Sequence, residues 1–274
     1  MHANHVRQRL RAGEPSIGTW LALPSPASAE YVSKLGLDWL VVDNEHNPVD
    51  LGTLSHMFMA MAAAPVAPMV RIPGNRPELF KQVLDAGAWG VVVPMVNSRT
   101  EAERAVEAFR YPPHGARSVG GGRHALSFNT AAGEYYRHAN DELLLVLQIE
   151  HIAGVERADE ILSVPGVDVC FIGPVDLAAS MGLPGMLESD HPRIMEAISH
   201  VRQTSQKHGV APGIHCSHAA AVNERIGQGF QFCAMASELH YMLHGLRQDV
   251  ATLQWTAAGR QTIETTDEGP SVRY

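Results

Sequence analysis

Leu143–His151 reads LLLVLQIEH: five apolar residues in a row, then Gln148, Ile149, Glu150 and His151. A strand with one wet face alternates apolar and polar residues; a strand covered on both faces does not. This run is therefore read as a parallel strand buried on both sides, and its polar residues fall at its C-terminal end. Similar runs recur at Ile17–Leu23, Trp39–Asp43, Pro68–Ile72, Gly90–Pro94, Val167–Ile172, Val210–Ile214 and Phe230–Met235. Helical stretches lie between them. Pro26–Leu35 stops at Gly36. Asn75–Ala86 has Pro77 in its first turn and Gly87 past its end, the usual asymmetry of helix termini. Ser98–Arg110 opens on a Ser-Arg-Thr-Glu capping sequence, and His191–His208 stops at Gly209. Eight strand–helix units in 274 residues predict a (β/α)8 TIM barrel, with an open doubly wound sheet as the alternative. Residues 1–255 are assigned to the barrel and 256–274 to a tail, disordered or held at an interface.

The composition is that of a globular protein, with 45% hydrophobic and 18% charged residues. A net charge of −8 argues against nucleic acid or an anionic membrane as partner. No apolar run reaches the roughly 18 residues of a membrane span, and the N-terminus lacks the apolar core of a secretory signal. Cys170, Cys216 and Cys233 lie far apart without CxxC spacing, which predicts three thiols in a reducing cytoplasm. The segment from Tyr111 to Asn140 is polar, carries VGGGR at 119–123 and shows no periodicity, so it is expected to be a long loop. The Met-rich HMFMAMAAAP at 56–65 is expected to be helix core.

Barrels of this class place their active sites at the C-terminal ends of the strands. That filter selects Asp43, Glu45 and His46 from VVDNEHNP at 41–48, Arg71 from MVRIPGN, Gln148 and Glu150 from the opening stretch, and Asp176 from FIGPVDL. A carboxylate directly after an apolar strand is costly unless it is paired or coordinates a metal. Glu150 and Asp176 could supply hard oxygen ligands to Mg²⁺, Mn²⁺ or Co²⁺, or be loop carboxylates, Asp176 merely starting a helix. His46 could act as a general base with Asp43, or Glu45 in its place, on the other ring nitrogen; it could equally be one loop histidine among 15. Arg71 could hold a carboxylate or stabilise an oxyanion, or form a structural ion pair with Asp43, Glu45 or Asp85. The only lysines, Lys34, Lys81 and Lys207, fall in predicted helices, so Schiff-base chemistry has no candidate nucleophile. His215 and His218 in IHCSH are a weak Zn²⁺ candidate, VGGGR a weak phosphate loop, and His240 with His244 a solvated pair.

Four stretches together resemble the HpcH/HpaI aldolase family of metal-dependent class II pyruvate aldolases: GTWLALPSPASAEYVSKLGLDWLVVDNEH, VRIPGNRPELFKQVLDAGAWGVVVPMVNS, RYPPHGARSVG and QIEHIAGVERADEILSVPGVDVCFIGPVDLAASMG. They run in order from Gly18 to Gly182; the last third matches loosely. The resemblance implies a barrel assembled as a homohexamer, a trimer of dimers that exchange their C-terminal helix. It implies Glu150 and Asp176 as metal ligands and His46 as base, oriented by Asp43. Arg71 would polarise the keto oxygen, and Gln148 would lie near metal and pyruvate. Gly173 and Pro174 would meet the substrate carboxylate through backbone. Glu45 would sit behind the site and hold His46 or a water, and Asp85 would support it or reach a neighbouring subunit. The implied activity is an aldehyde-lyase: cleavage of a 4-hydroxy-2-oxo acid to pyruvate and an aldehyde. Departures are Asn44 and Asn47 beside the Glu-His pair, His124 with the glycine run, and MASELH at 235–240, which lacks the usual aspartate. Alternatives are an oxaloacetate decarboxylase or macrophomate-synthase-like enzyme on the same enolate, a citramalyl- or malyl-CoA lyase, and a barrel without catalysis.

Overall fold

A computed structural model of the chain describes residues 1–252. The eight strands are β1 (Ser16–Leu21), β2 (Trp39–Asp43), β3 (Ala67–Arg71), β4 (Gly90–Val93), β5 (Leu144–Ile149), β6 (Val169–Ile172), β7 (Ala211–Cys216) and β8 (Phe232–Ser237). All are parallel, each pairs with its neighbours in sequence, and β8 closes on β1. The (β/α)8 barrel expected from the sequence is thus the observed fold. The tail assigned to 256–274 lies outside the described residues.

The continuous apolar runs have the predicted cause. Along β2, Trp39 and Val41 point into the barrel and join Trp20, Met69, Val146, Phe171 and Phe232. Leu40 and Val42 point outward and pack beneath the helices with Val70, Val91 and Leu145. Both faces are dry, so neither alternates with polar residues. Inside, Trp39 stacks flat on Phe232 with ring centroids 4.0 Å apart. A Cβ on Gly18 would fall 2.1 Å from the Trp39 ring, so this β1 position admits only glycine.

Helix termini follow their sequence signals. Pro77–Asp85 begins on proline and is followed by Gly87 at φ +109. Arg99–Phe109 is capped by Ser98, whose Oγ accepts from the Glu101 amide. Leu51–Met61 buries Met57, Phe58 and Met61, as expected of the Met-rich run. A short N-terminal helix, His5–Arg11, crosses the N-terminal end of the barrel. Its Val6 and Leu10 extend the interior cluster, and Arg7 pairs with Asp168 at 2.7 Å, so the barrel is stoppered at that end.

The segment 111–140 differs from expectation. It contains two helices, Arg123–Ser127 and Ala132–Glu142, and packs at the N-terminal end of the barrel, away from the strand ends that carry chemistry. Phe128 stacks on Trp89, which precedes β4, with centroids 4.3 Å apart. The glycine run is therefore no phosphate cradle at the active rim. Asp85 ends a helix that runs antiparallel to the strands, so it too lies at this far end, 2.7 Å from Arg117. Asp85 is corrected as a neighbour of this chain's own site. The last described helix, Glu238–Thr252, buries Glu238 alone and leaves Tyr241, Met242, Leu246 and Val250 exposed. No described helix is long and apolar enough to cross a membrane. Cys170, Cys216 and Cys233 are buried free thiols.

Candidate active site

At the C-terminal rim, β2 and β3 deliver the first group. Asp43 and Arg71 end adjacent strands in direct register, which puts a carboxylate beside a guanidinium inside the barrel mouth. Arg71 Nε donates to Asp43 Oδ1 at 2.8 Å, and Arg71 Nη1 stands 3.2 Å from Glu45 Oε2. The second oxygen of fully buried Asp43 accepts from Asn47 Nδ2 at 2.6 Å, and its first also accepts the Glu45 amide. Burial alone would lower the Arg71 pKa, but the charge and hydrogen bond of Asp43, with Glu45 and Glu150, more than offset it, and the net direction is upward. Arg71 also lies over the Trp20 ring, 4.6 Å from its centroid, so its planar face is held as well as its edge.

This arrangement revises one expected pairing. Both Asp43 oxygens serve Arg71, Asn47 and the Glu45 amide, whereas His46 Nε2 lies 3.6 Å from Glu45 Oε2. The carboxylate beside His46 is therefore Glu45, the second option read from the sequence, and Asp43 orients Arg71 instead. Asn47, one of the departures from the family pattern, has the definite task of closing Asp43. Burial pushes the Glu45 pKa up, against the opposing pull of Arg71 and His46.

β5 and β6 deliver the second group. Glu150 is 2% exposed; Oε1 accepts the Met95 amide at 2.9 Å, and Oε2 accepts from Gln148 Nε2. Met95 holds a left-handed backbone at φ +54, uncommon for a residue with a side chain, and this conformation presents its N–H to the carboxylate. Burial pushes the Glu150 carboxyl up to about 7 despite the nearby Arg71. Asp176 sits in the first turn of Pro174–Ser180, close enough for its charge to raise the pKa values of Glu150 and Glu45. It caps nothing: the N-cap is Gly173, and no side chain bonds that helix end. A Cβ on Gly173 would fall 2.6 Å from Glu150 Oε2, so only glycine lets the two carboxylate-bearing segments approach.

One pocket gathers these residues. Arg71, Gln148, Glu150, Gly173, Pro174 and Asp176 line it, all expected from the sequence, while Asp43, Glu45 and His46 stand around Arg71 at its edge. Trp20, Val175 and Leu187 also line it and were missed, and so does His215, which the sequence offered only as a weak Zn²⁺ ligand. Trp20 lies within an apolar strand and reads as core. His215 ends β7, where the strand-end filter could have found it. The Zn²⁺ reading fails, because His218 is an exposed residue capping Ala219–Gly227 through Nδ1. Glu238 accepts the Ala22 and Leu23 amides, both at 2.8 Å, so the start of the last helix supplies a carboxylate that ties β8 to β1.

The donor set fits a divalent cation. Its oxygens are hard ligands. The Glu150 charge is poorly compensated by protein alone, as its raised pKa shows, and Gln148 Oε1 is buried without a hydrogen-bond partner. Among the described residues no three His, Cys, Asp or Glu side chains converge as a closed metal cage. Two carboxylates with open positions suit an ion that shares its coordination with substrate and water, not a structural zinc.

Fold and site thus define a (β/α)8 barrel with a carboxylate-rich, arginine-bearing pocket at the strand ends. The sequence profile of the HpcH/HpaI aldolase/citrate lyase family matches residues 16–245, and the chain belongs to that family. It is 38% identical over 251 residues to a hydroxypyruvate/pyruvate aldolase of Paraburkholderia phytofirmans, covering 89% of this chain and 95% of that protein. It is 38% identical over 236 residues to a 5-keto-4-deoxy-D-glucarate aldolase of Shigella dysenteriae, covering 86% and 91%. A crystal structure of a family member from Burkholderia cenocepacia superposes with a TM-score of 0.84 at 34% identity, over 90% of this chain and 98% of that one.

Proposed function

We propose that this aldolase, a carbon–carbon lyase of its family, cleaves a 4-hydroxy-2-oxo acid to a 2-oxo acid and an aldehyde at the pocket between β3, β5 and β6, and that it also runs the reverse condensation. The donor is pyruvate or hydroxypyruvate, the pair for which one relative is named. The observation that carries the reading is the convergence of Glu150, Asp176, Gln148 and Arg71 on one pocket at the strand ends.

Glu150 and Asp176 would hold Mg²⁺, Mn²⁺ or Co²⁺, the family being dependent on divalent metal. A cation held there supplies Lewis acidity, which makes a C3 proton of a 2-oxo acid removable near neutral pH. Arg71, fixed at its edge by Asp43 and Glu45 and at its face by Trp20, donates to the keto oxygen and stabilises the charge that develops on it. Its rigidity matters because a preorganised donor needs no reorganisation when charge appears. His46 moves the proton, at C3 in condensation and from the 4-hydroxyl in cleavage. Glu45, 3.6 Å away, holds the ring in place. Gln148 steadies Glu150, and the backbone at Gly173 and Pro174 faces the substrate carboxylate.

The same proposal includes a homohexamer in the cytoplasm. The exposed Tyr241, Met242, Leu246 and Val250 on Glu238–Thr252 suit exchange of this helix with a second copy, and three buried thiols suit a reducing compartment. Light scattering on purified protein tests the assembly. The activity is tested by proton exchange of the pyruvate methyl group in D₂O, followed by NMR with Mn²⁺ or Mg²⁺ and with EDTA. Exchange that requires metal supports the reading without any choice of aldehyde. Exchange unaffected by EDTA, or none with pyruvate or hydroxypyruvate, overturns it.

A further inference from the structure

β7 turns one histidine into the pocket. His215 is 9% exposed, lines the cavity with Arg71 and Gln148, and lies with its ring centroid 5.7 Å from Trp20 and 6.5 Å from Phe171. Burial, helped by the charge of Arg71, pushes its pKa down to about 4, so the ring is neutral at physiological pH. A neutral imidazole has one N–H and one lone-pair nitrogen. Its N–H donates to the backbone carbonyl of Ala236. Ala236 is held in the left-handed region at φ +44, beside the register slip where β8 meets β1 between Gly18 and Trp20. This backbone carbonyl sets the tautomer, and the second ring nitrogen is an acceptor.

A plain 2-oxo acid has no use for an acceptor there. Its carboxylate and keto oxygens are acceptors themselves, matched by Arg71 and the ligand end of the pocket. Its methyl group needs only carbon contacts, which Trp20 and Leu187 supply. An imidazole acceptor suits a hydroxyl. We propose that His215 is a specificity-determining residue that accepts a hydrogen bond from a hydroxyl on C3 of the donor, so that the pocket favours a 3-hydroxy-2-oxo acid, hydroxypyruvate being the simplest. This rests on the aldolase reading above and identifies the residue that selects the donor.

The test compares metal-loaded wild type, His215→Phe, His215→Leu and His215→Gln in D₂O without aldehyde. Deuteration at C3 of pyruvate and of hydroxypyruvate is followed by NMR above the enzyme-free rate, and circular dichroism reports folding. Wild type is expected to exchange both donors. In His215→Phe, which keeps a ring but has no acceptor, the hydroxypyruvate-to-pyruvate ratio of kcat/KM should fall about 10- to 100-fold, the effect of removing one buried hydrogen-bond partner. His215→Leu serves in its place if the phenylalanine variant does not fold. His215→Gln, whose amide oxygen accepts, should recover part of the ratio. An unchanged ratio in a folded variant lacking the acceptor overturns the proposal. If wild type exchanges neither donor, the aldolase reading itself falls, and this proposal with it.

Discussion

Replacing Glu150 with glutamine should stabilise the metal-free protein, by an amount set by pH. Burial raises the Glu150 carboxyl from its ordinary 4.5 to about 7. At 1.36 kcal/mol per pH unit, that is about 3 kcal/mol of disfavoured charge. Between these two pH values the folded protein keeps a proton that the unfolded chain releases. Stability is therefore lost as pH rises through the window, and the loss is complete above about pH 7. Glutamine resembles the protonated acid and does not titrate. It can keep the Met95 amide on its oxygen, and Gln148 can turn over to offer its partnerless Oε1 to the new NH₂. The variant should match wild type near pH 4.5 and exceed it by about 3 kcal/mol at pH 8, roughly 5–10 °C in Tm for a chain of this size. Urea unfolding in EDTA at half-unit steps of pH measures the difference. Taking a difference matters, because His215, lowered to about 4, loses stability as pH falls from 6.5 and does so in both proteins. In wild type, metal affinity should fall about tenfold per pH unit below about 7, since the ion must displace one proton. A difference that stays flat with pH, or a variant less stable than wild type at pH 8, would refute the buried-charge argument.

Gly173→Ala would set a methyl group 2.6 Å from Glu150 Oε2. The carboxylate must move, and Mn²⁺ affinity by electron paramagnetic resonance should drop at least tenfold, with a stability cost of about 1–3 kcal/mol. Arg71→Lys removes the fork that reaches Asp43 and Glu45 together; exchange of the donor's C3 protons should slow by about 10²–10³ in kcat, and near-normal kcat would show that charge alone suffices. His46→Ala should lower kcat about 10²–10⁴-fold while calorimetric binding of pyruvate to the metal-loaded protein persists; equal loss of binding would make His46 a binding group instead.

The barrel was legible because its strands advertise burial on both faces, and the rim because Arg71, Glu150 and Asp176 interrupt apolar sequence where strands end. What stayed hidden depended on relations across the chain. Asp43 and His46 are three residues apart and look like partners, yet β2–β3 register sets Asp43 opposite Arg71. No one-dimensional pattern contains that register. Asp85 looked close to the site because its helix follows the Arg71 strand, but helices return to the far end of the barrel. The helices of 111–140 escaped notice because their buried faces are small: Tyr135 and Ala139 in one, His124 and Ala125 in the other. Trp20 was hidden differently, since its neighbours make it look like any core residue, and only the closed barrel puts its ring under Arg71.

The N-terminal helix that stoppers the barrel has a kinetic consequence. With Val6 and Leu10 filling that end and Arg7 clamped on Asp168, the pocket is a flask and not a pipe. On the proposed roles of Glu150 and Arg71, the donor would bind deep in that flask, and an aldehyde settling above it would shut it in. Traffic through a single neck would then be last in, first out, the 2-oxo acid entering before the aldehyde and leaving after it.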